Sequence, residues 1–174
     1  MMIYRAVVAI ALVVSILQGC SQEKREPKPV SEATFPVTKW NLLVREANEA
    51  TLVSSHESPE REVLRVDIKK AGTQTLWHIQ LAQAPLKVKS QHRYRLTFRA
   101  RADGPRNVEL GFAQNHDPWT GLGLYKSFVL NPGWQKFEEE FVATADDDNA
   151  QILFNLGGNA ISAEFADVKL SHKE

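Results

Sequence analysis

Between residues 93 and 101 the chain reads RYRLTFRAR, and this alternation constrains the fold more than any other feature. Tyr94, Leu96, Phe98 and Ala100 point one way, while Arg93, Arg95, Thr97, Arg99 and Arg101 point the other. A period of two marks a half-buried strand, because successive side chains leave a pleated backbone on opposite faces. The same pattern recurs in VLRVDIK (63–69), where Leu64, Val66 and Ile68 share a face. In TLWHIQLAQ (75–83), Trp77, Ile79 and Leu81 lie on one face and His78 and Gln80 on the other. KWNLLV and EATLVSS precede these segments, and NVELGFAQ, GLYKSFVL, WQKFEEEFVA, AQILFNLGG and EFADVKL follow. The breaks ADGPRN, LNPG, ADDDNA and GGN carry turn residues. No window shows a long helical period. About ten short strands at this spacing predict an all-β fold, an antiparallel β-sandwich or barrel.

The N-terminus reads differently. One positive charge, Arg5, precedes the apolar run AVVAIALVVSIL (6–17), which is short for a membrane span and fits the core of a secretory signal. It ends in LQGC, which resembles a bacterial lipobox and implies that residues 1–20 are a lipoprotein signal peptide with Cys20 as the acylated residue. Acyl chains anchor at about 0.8 kcal/mol per buried methylene. Ser21 after the cysteine implies the outer membrane of a diderm envelope. Cys20 is the sole cysteine, so the remainder uses neither disulfide nor thiol chemistry. Residues 21–35, SQEKREPKPVSEATF, are charged and proline-containing, and are expected to be a flexible tether. Residues 36–174 have the size of one domain. Basic and acidic residues number 21 each, and the lack of a basic stripe argues against a nucleic-acid partner.

One stretch resists a plain structural reading. FAQNHDPWTGLGLY (112–125) places Gln114, Asn115, His116, Asp117 and Trp119 in a Gly- and Pro-containing loop after a strand. It is too polar for a core and too aromatic for a merely solvated loop. A buried-core Trp, a catalytic His and a ligand platform are the three candidates for such a loop.

The order of LWHIQLAQAPLKVKSQHRYRLTFRARA, VELGFAQNHDPW, VLNPGWQKFEEEF and AQILFNLGG…FADVKL resembles the carbohydrate-binding modules of families 4 and 9 over roughly residues 40–170. That resemblance implies a jelly-roll β-sandwich of the galactose-binding-like class, found beside glycoside hydrolases, one of which is then a possible partner on the same glycan. It also implies that the strands bearing His78, Gln80, Arg99 and Arg101 line a cleft, with Gln114, Trp119, Asn115 and His116 in its wall. The family's structural calcium would use Asp167 in FADVKL, although SEATFPV keeps little of the acidic opening segment that completes it. No other cofactor is expected.

Each candidate has a plainer alternative. Trp77 shares parity with Ile79 and Leu81, so core burial competes with sugar contact. Trp40 and Trp134 suit the core or its rim. Arg93 and Arg95 suit pairing with Glu138 to Glu140. Arg99 is balanced between that role and ligand, and Asn155 between ligand contact and capping a turn. Glycoside hydrolysis needs two carboxyls at fixed separation. Neighbouring strand glutamates face opposite ways, no Gly-x-Ser-x-Gly elbow occurs, and His56, His78, His92, His116 and His172 lack metal-ligand spacing. The resulting expectation is non-catalytic binding of poly- or oligosaccharide by an envelope lipoprotein. The alternatives are a sandwich that binds a protein partner and a small glycoside hydrolase.

Overall fold

Phe98 and Phe154 meet edge to face at 5.1 Å, and Phe154 and Phe165 meet at 4.5 Å. The first and third of these rings come from one sheet and the second from another, so the contacts mark the seam of a β-sandwich. The computed structural model describes residues 31–34, 39–59 and 61–173. The expected signal peptide, Cys20 and residues 21–30 of the expected tether lie outside them.

Eleven strands occur among the described residues: β1 (Ser31–Thr34), β2 (Trp40–Val44), β3 (Glu49–Ser58), β4 (Arg61–Lys70), β5 (Ile79–Val88), β6 (Arg93–Ala102), β7 (Arg106–Gln114), β8 (Gly121–Leu130), β9 (Gln135–Val142), β10 (Asp147–Asn155) and β11 (Ala163–Lys173). One sheet runs β3-β4-β11-β6-β9, with β1 also paired to β11; the other runs β2-β5-β10-β7-β8. All pairings are antiparallel. The apolar parity expected for β4 and β6 is the buried one: Leu64, Val66, Ile68, Tyr94, Leu96, Phe98 and Ala100 all face the interior. Fully burying one such large side chain is worth about 1.5–3 kcal/mol, which fixes the register of each strand, since a one-residue slip would turn its apolar face to water.

Two local departures matter. Ser31–Thr34, expected in the tether, pair with Thr34↔Lys169 through Ser31↔His172 along β11, beyond the segment of β11 that β4 covers. The polar sequence hid this strand because its hydrogen bonds are made by backbone. The expected start of β5 is instead a 3-10 turn over Leu76–His78. Three residues per turn break the period of two, so Trp77 leaves the phase of Ile79 and Leu81.

Candidate functional site

The face of the five-stranded sheet turned away from the core carries a groove of about 860 Å³. Its floor is low because small residues make it: Ala82, Ala113 and Leu153 form an apolar cluster separate from the core, beside Gly111. A Cβ at Gly111 would press on Leu153 at 3.0 Å, so a larger residue there would raise the floor.

Three aromatic rings stand around it. Trp77 is 51% exposed, Trp119 62% and Tyr125 68%, and no other Trp, Tyr or Phe among the described residues is comparably exposed. Exposed rings cost solvation without packing return, so their convergence on one groove needs a ligand-sided reason. Trp77 is held by the turn below it. Gly157 N–H donates to the Leu76 carbonyl at 2.8 Å, and a Cβ on Gly157 would collide with the Thr75 carbonyl. Behind that contact, Arg106 is 2% exposed and its guanidinium donates to the carbonyls of Leu156, Gly157 and Ile161, fastening the loop between β10 and β11. Burial without a carboxylate pushes its pKa down to about 10.

Across the floor runs a chain of polar side chains. Arg45 donates to Gln80 Oε1 at 2.7 Å, Gln80 Nε2 to Asn155 Oδ1 at 2.9 Å, and Asn155 Nδ2 to Glu109 at 3.2 Å. Glu109 also holds the Tyr125 hydroxyl; desolvation there, then the bond and the carboxylate's charge, push the phenol up to about 12. The register explains the alignment: Leu43, Gln80, Asn155 and Glu109 are successive partners across β2, β5, β10 and β7. Arg45 also lies over the Trp77 ring, 5.5 Å from its centroid.

The loop between β7 and β8 presents Trp119, whose φ of 55° is the left-handed backbone that a tryptophan seldom adopts. It is locked by Trp119 N–H to the His116 carbonyl at 2.7 Å and Gln114 N–H to the Thr120 carbonyl at 3.0 Å. Asn115 lines the groove and is tied to Asn149 through both backbone and side chain.

Gln80, Trp77, Asn115, Trp119 and Asn155 therefore come together on one groove, including Trp77 and Asn155, for which the sequence had left core burial and a turn cap open. Five other candidates do not join them. Gln114 and His116 turn to the opposite side of the loop, where both donate to Asp147, at 3.1 and 3.0 Å. The His78 ring packs edge-on against Trp77 at 4.3 Å, outside the groove lining. Arg99 and Arg101 belong to β6, in the other sheet; they lie over the Trp134 ring at 4.7 and 4.5 Å and pair with Asp167 and Glu164. Strand parity sets which way a side chain faces relative to the core, but not which sheet its strand joins. Arg93 and Arg95 do pair with Glu140 and, for Arg95, Glu138.

Asp167 does not fit the structural calcium implied by the resemblance. Its carboxylate faces the guanidiniums of Arg99 at 3.5 Å and Arg61 at 3.6 Å, and no cluster of three or more His, Cys, Asp or Glu among the described residues is placed to hold a metal. Two cations at a carboxylate repel a third. Sequence reasoning also missed Tyr125, Arg45 and Glu109. Tyr125 sits at outward parity beside buried Leu124, a readable signal, but a bulge opposite Phe112 and Ala113 obscured which side it served.

A family model for a carbohydrate binding domain, CBM_4_9, matches residues 30–163. Among solved structures, a CBM4 module aligns at 29% identity and a TM-score of 0.64, covering 77% of this chain and 86% of that one. The N-terminal cellulose-binding domain of Cellulomonas fimi β-1,4-glucanase C aligns at 21% identity and a TM-score of 0.58, covering 78% and 89%. A family 11 module of Clostridium thermocellum, in complex with a β-1,3-1,4-mixed-linked tetrasaccharide, gives 11% identity and a TM-score of 0.60, covering 82% and 96%. No curated protein matches the sequence. With most of its length under that family model and the same sandwich in these structures, the chain belongs to the CBM_4_9 family of carbohydrate binding domains.

Proposed function

We propose that the protein binds poly- or oligosaccharide non-catalytically in the groove of the five-stranded sheet, and that lipid on Cys20 tethers it to the outer membrane. The observation that carries the binding reading is the meeting of Trp77, Trp119 and Tyr125 around a floor crossed by Gln80 and Asn155. Rings take the C–H faces of sugars at about 1 kcal/mol each. Carboxamides both donate and accept, which suits hydroxyls, at roughly 0.5–1.5 kcal/mol net per bond. After association costs, a few such contacts give affinity of roughly micromolar to millimolar. The one carboxylate in the polar chain, Glu109, is engaged by Asn155 and Tyr125, which leaves it poorly suited to the paired-carboxyl chemistry of glycosidases.

The ligand class we favour is a β-linked glucan, by analogy with the cellulose-binding domain of Cellulomonas fimi and the Clostridium thermocellum module held with a mixed-linked tetrasaccharide. A panel of affinity gels containing mixed-linked β-glucan, a soluble cellulose derivative or xylan tests this. Retention is expected on at least one glucan gel. Trp119→Ala and Trp77→Ala should each weaken it about five-fold, the equivalent of one ring, with the melting temperature nearly unchanged. A protein that migrates freely in every gel ends the proposal, and a melting temperature that collapses in Trp119→Ala would make that ring part of the fold instead.

A further inference from the structure

The histidine excluded from the groove has a geometry of its own. His116 Nδ1 lies 3.0 Å from the Asp117 carbonyl oxygen, and Nε2 lies 3.0 Å from Asp147 Oδ2. A carbonyl and a carboxylate can only accept. A neutral imidazole carries a single N–H, so only the doubly protonated ring satisfies both contacts. Asp147 is built to receive that charge: its side chain is 3% exposed, and Gln114 Nε2 and Asn149 N–H complete its bonds at 3.1 and 2.7 Å.

We propose that His116 is a positioning residue, held as an imidazolium between Asp147 and its own loop, and that the groove's grip on its ligand weakens when this ring loses its proton. This rests on the carbohydrate reading above only for the word ligand. The mechanical link is short. The carbonyl of His116 accepts the Trp119 N–H, so the histidine that is stapled to β10 is also the residue from which the indole platform hangs. Trp119 sits at φ 55°, a backbone state that persists only while its surroundings hold it. Releasing the staple frees the loop to relax, and the ring leaves its place on the groove.

The surroundings are consistent with a retained proton. Asp147 and Asp148 attract it from β10, while the cleft also contains Lys87 of β5, Lys89 just after that strand and Asp146 before β10; Lys89 is paired with Asp146 at 3.0 Å. The bond to the Asp117 carbonyl, then that to Asp147, hold the ring's pKa above its ordinary 6.5 against some desolvation. The sign follows. The staple is complete below the ordinary value and is lost as pH rises through the raised one. Asp147 adds no second step in that window: burial pushes its carboxyl up, but the bonds from Asn149, Gln114 and His116 outweigh this and leave it below the usual range.

The test combines two measurements from about pH 6 to about pH 9. Nitrogen-15 NMR of the protein without glycan follows the His116 ring and the Trp119 indole signal. Affinity electrophoresis in mixed-linked β-glucan follows retention. The expected result is a His116 ring that deprotonates above the ordinary value, a Trp119 signal that moves with it, and retention that falls several-fold over the same step. His116→Gln should show weaker retention with a flat profile. A His116 ring already neutral at pH 6.5, a Trp119 signal indifferent to its titration, or a His116→Gln profile as steep as the parent's would overturn the inference. If no gel retains the protein at any pH, the carbohydrate reading falls, and the NMR arm alone decides whether the ring positions Trp119.

Discussion

A guanidinium that lies over an indole and faces a carboxylate, as Arg99 does between Trp134 at 4.7 Å and Asp167 at 3.5 Å, has its charge committed to the fold. Arg101 shares that indole from 4.5 Å. Both have the chemistry to grip a sugar hydroxyl, yet they sit on the outer face of the wrong sheet. Arg99→Ala and Arg101→Ala are therefore expected to leave glycan retention unchanged while each lowers stability by roughly 0.5–1 kcal/mol; gel retention and a thermal melt check both halves. At this scale composition was a fair guide and position was not. The sequence pointed to Trp119 because its loop was too aromatic to be plain solvent-facing chain. It left Trp77 open because parity with Ile79 and Leu81 argued for burial, and only the turn beneath it exposes the ring.

The strands were legible because side-chain burial enforces their period; the pieces that position the site were not, because backbone contacts build them. The 3-10 turn over Leu76–His78 depends on the Leu76 carbonyl receiving the Gly157 N–H and on a Gly157 with no Cβ to strike the Thr75 carbonyl. Nothing in the order of residues 73–78 announces that partner, which lies some eighty positions further on. Gly157→Ala is expected to push the turn away, lowering stability by about 1–3 kcal/mol and weakening retention together with it, whereas Trp77→Ala weakens retention alone. Denaturant melts beside affinity gels separate the two. β1 is a similar case: its pairing with β11 is made by main-chain groups that four mostly polar residues supply as well as any others.

For the molecule as a whole, alternation established a sandwich but left strand order open. β5 and β6 follow each other in the chain and part into different sheets, so residues assumed to share a cleft face opposite sides of the protein. That topology is what assigns the groove to the five-stranded sheet alone. On the anchoring reading, Cys20→Ser should shift the protein from the membrane fraction to the soluble fraction and abolish incorporation of labelled palmitate, with glycan retention intact; fractionation after labelling checks it.

The line of bonds from Arg45 through Gln80 and Asn155 to Glu109 runs in one direction, every donor aimed the same way and a carboxylate at its end. Turning either amide over would set N–H against guanidinium or oxygen against carboxylate, so neither can reverse to suit an incoming molecule. The groove thus resembles a lock whose tumblers are already set. Two epimers that differ only in where a single hydroxyl points would meet the same immovable vectors, and only one of them would find those vectors complementary.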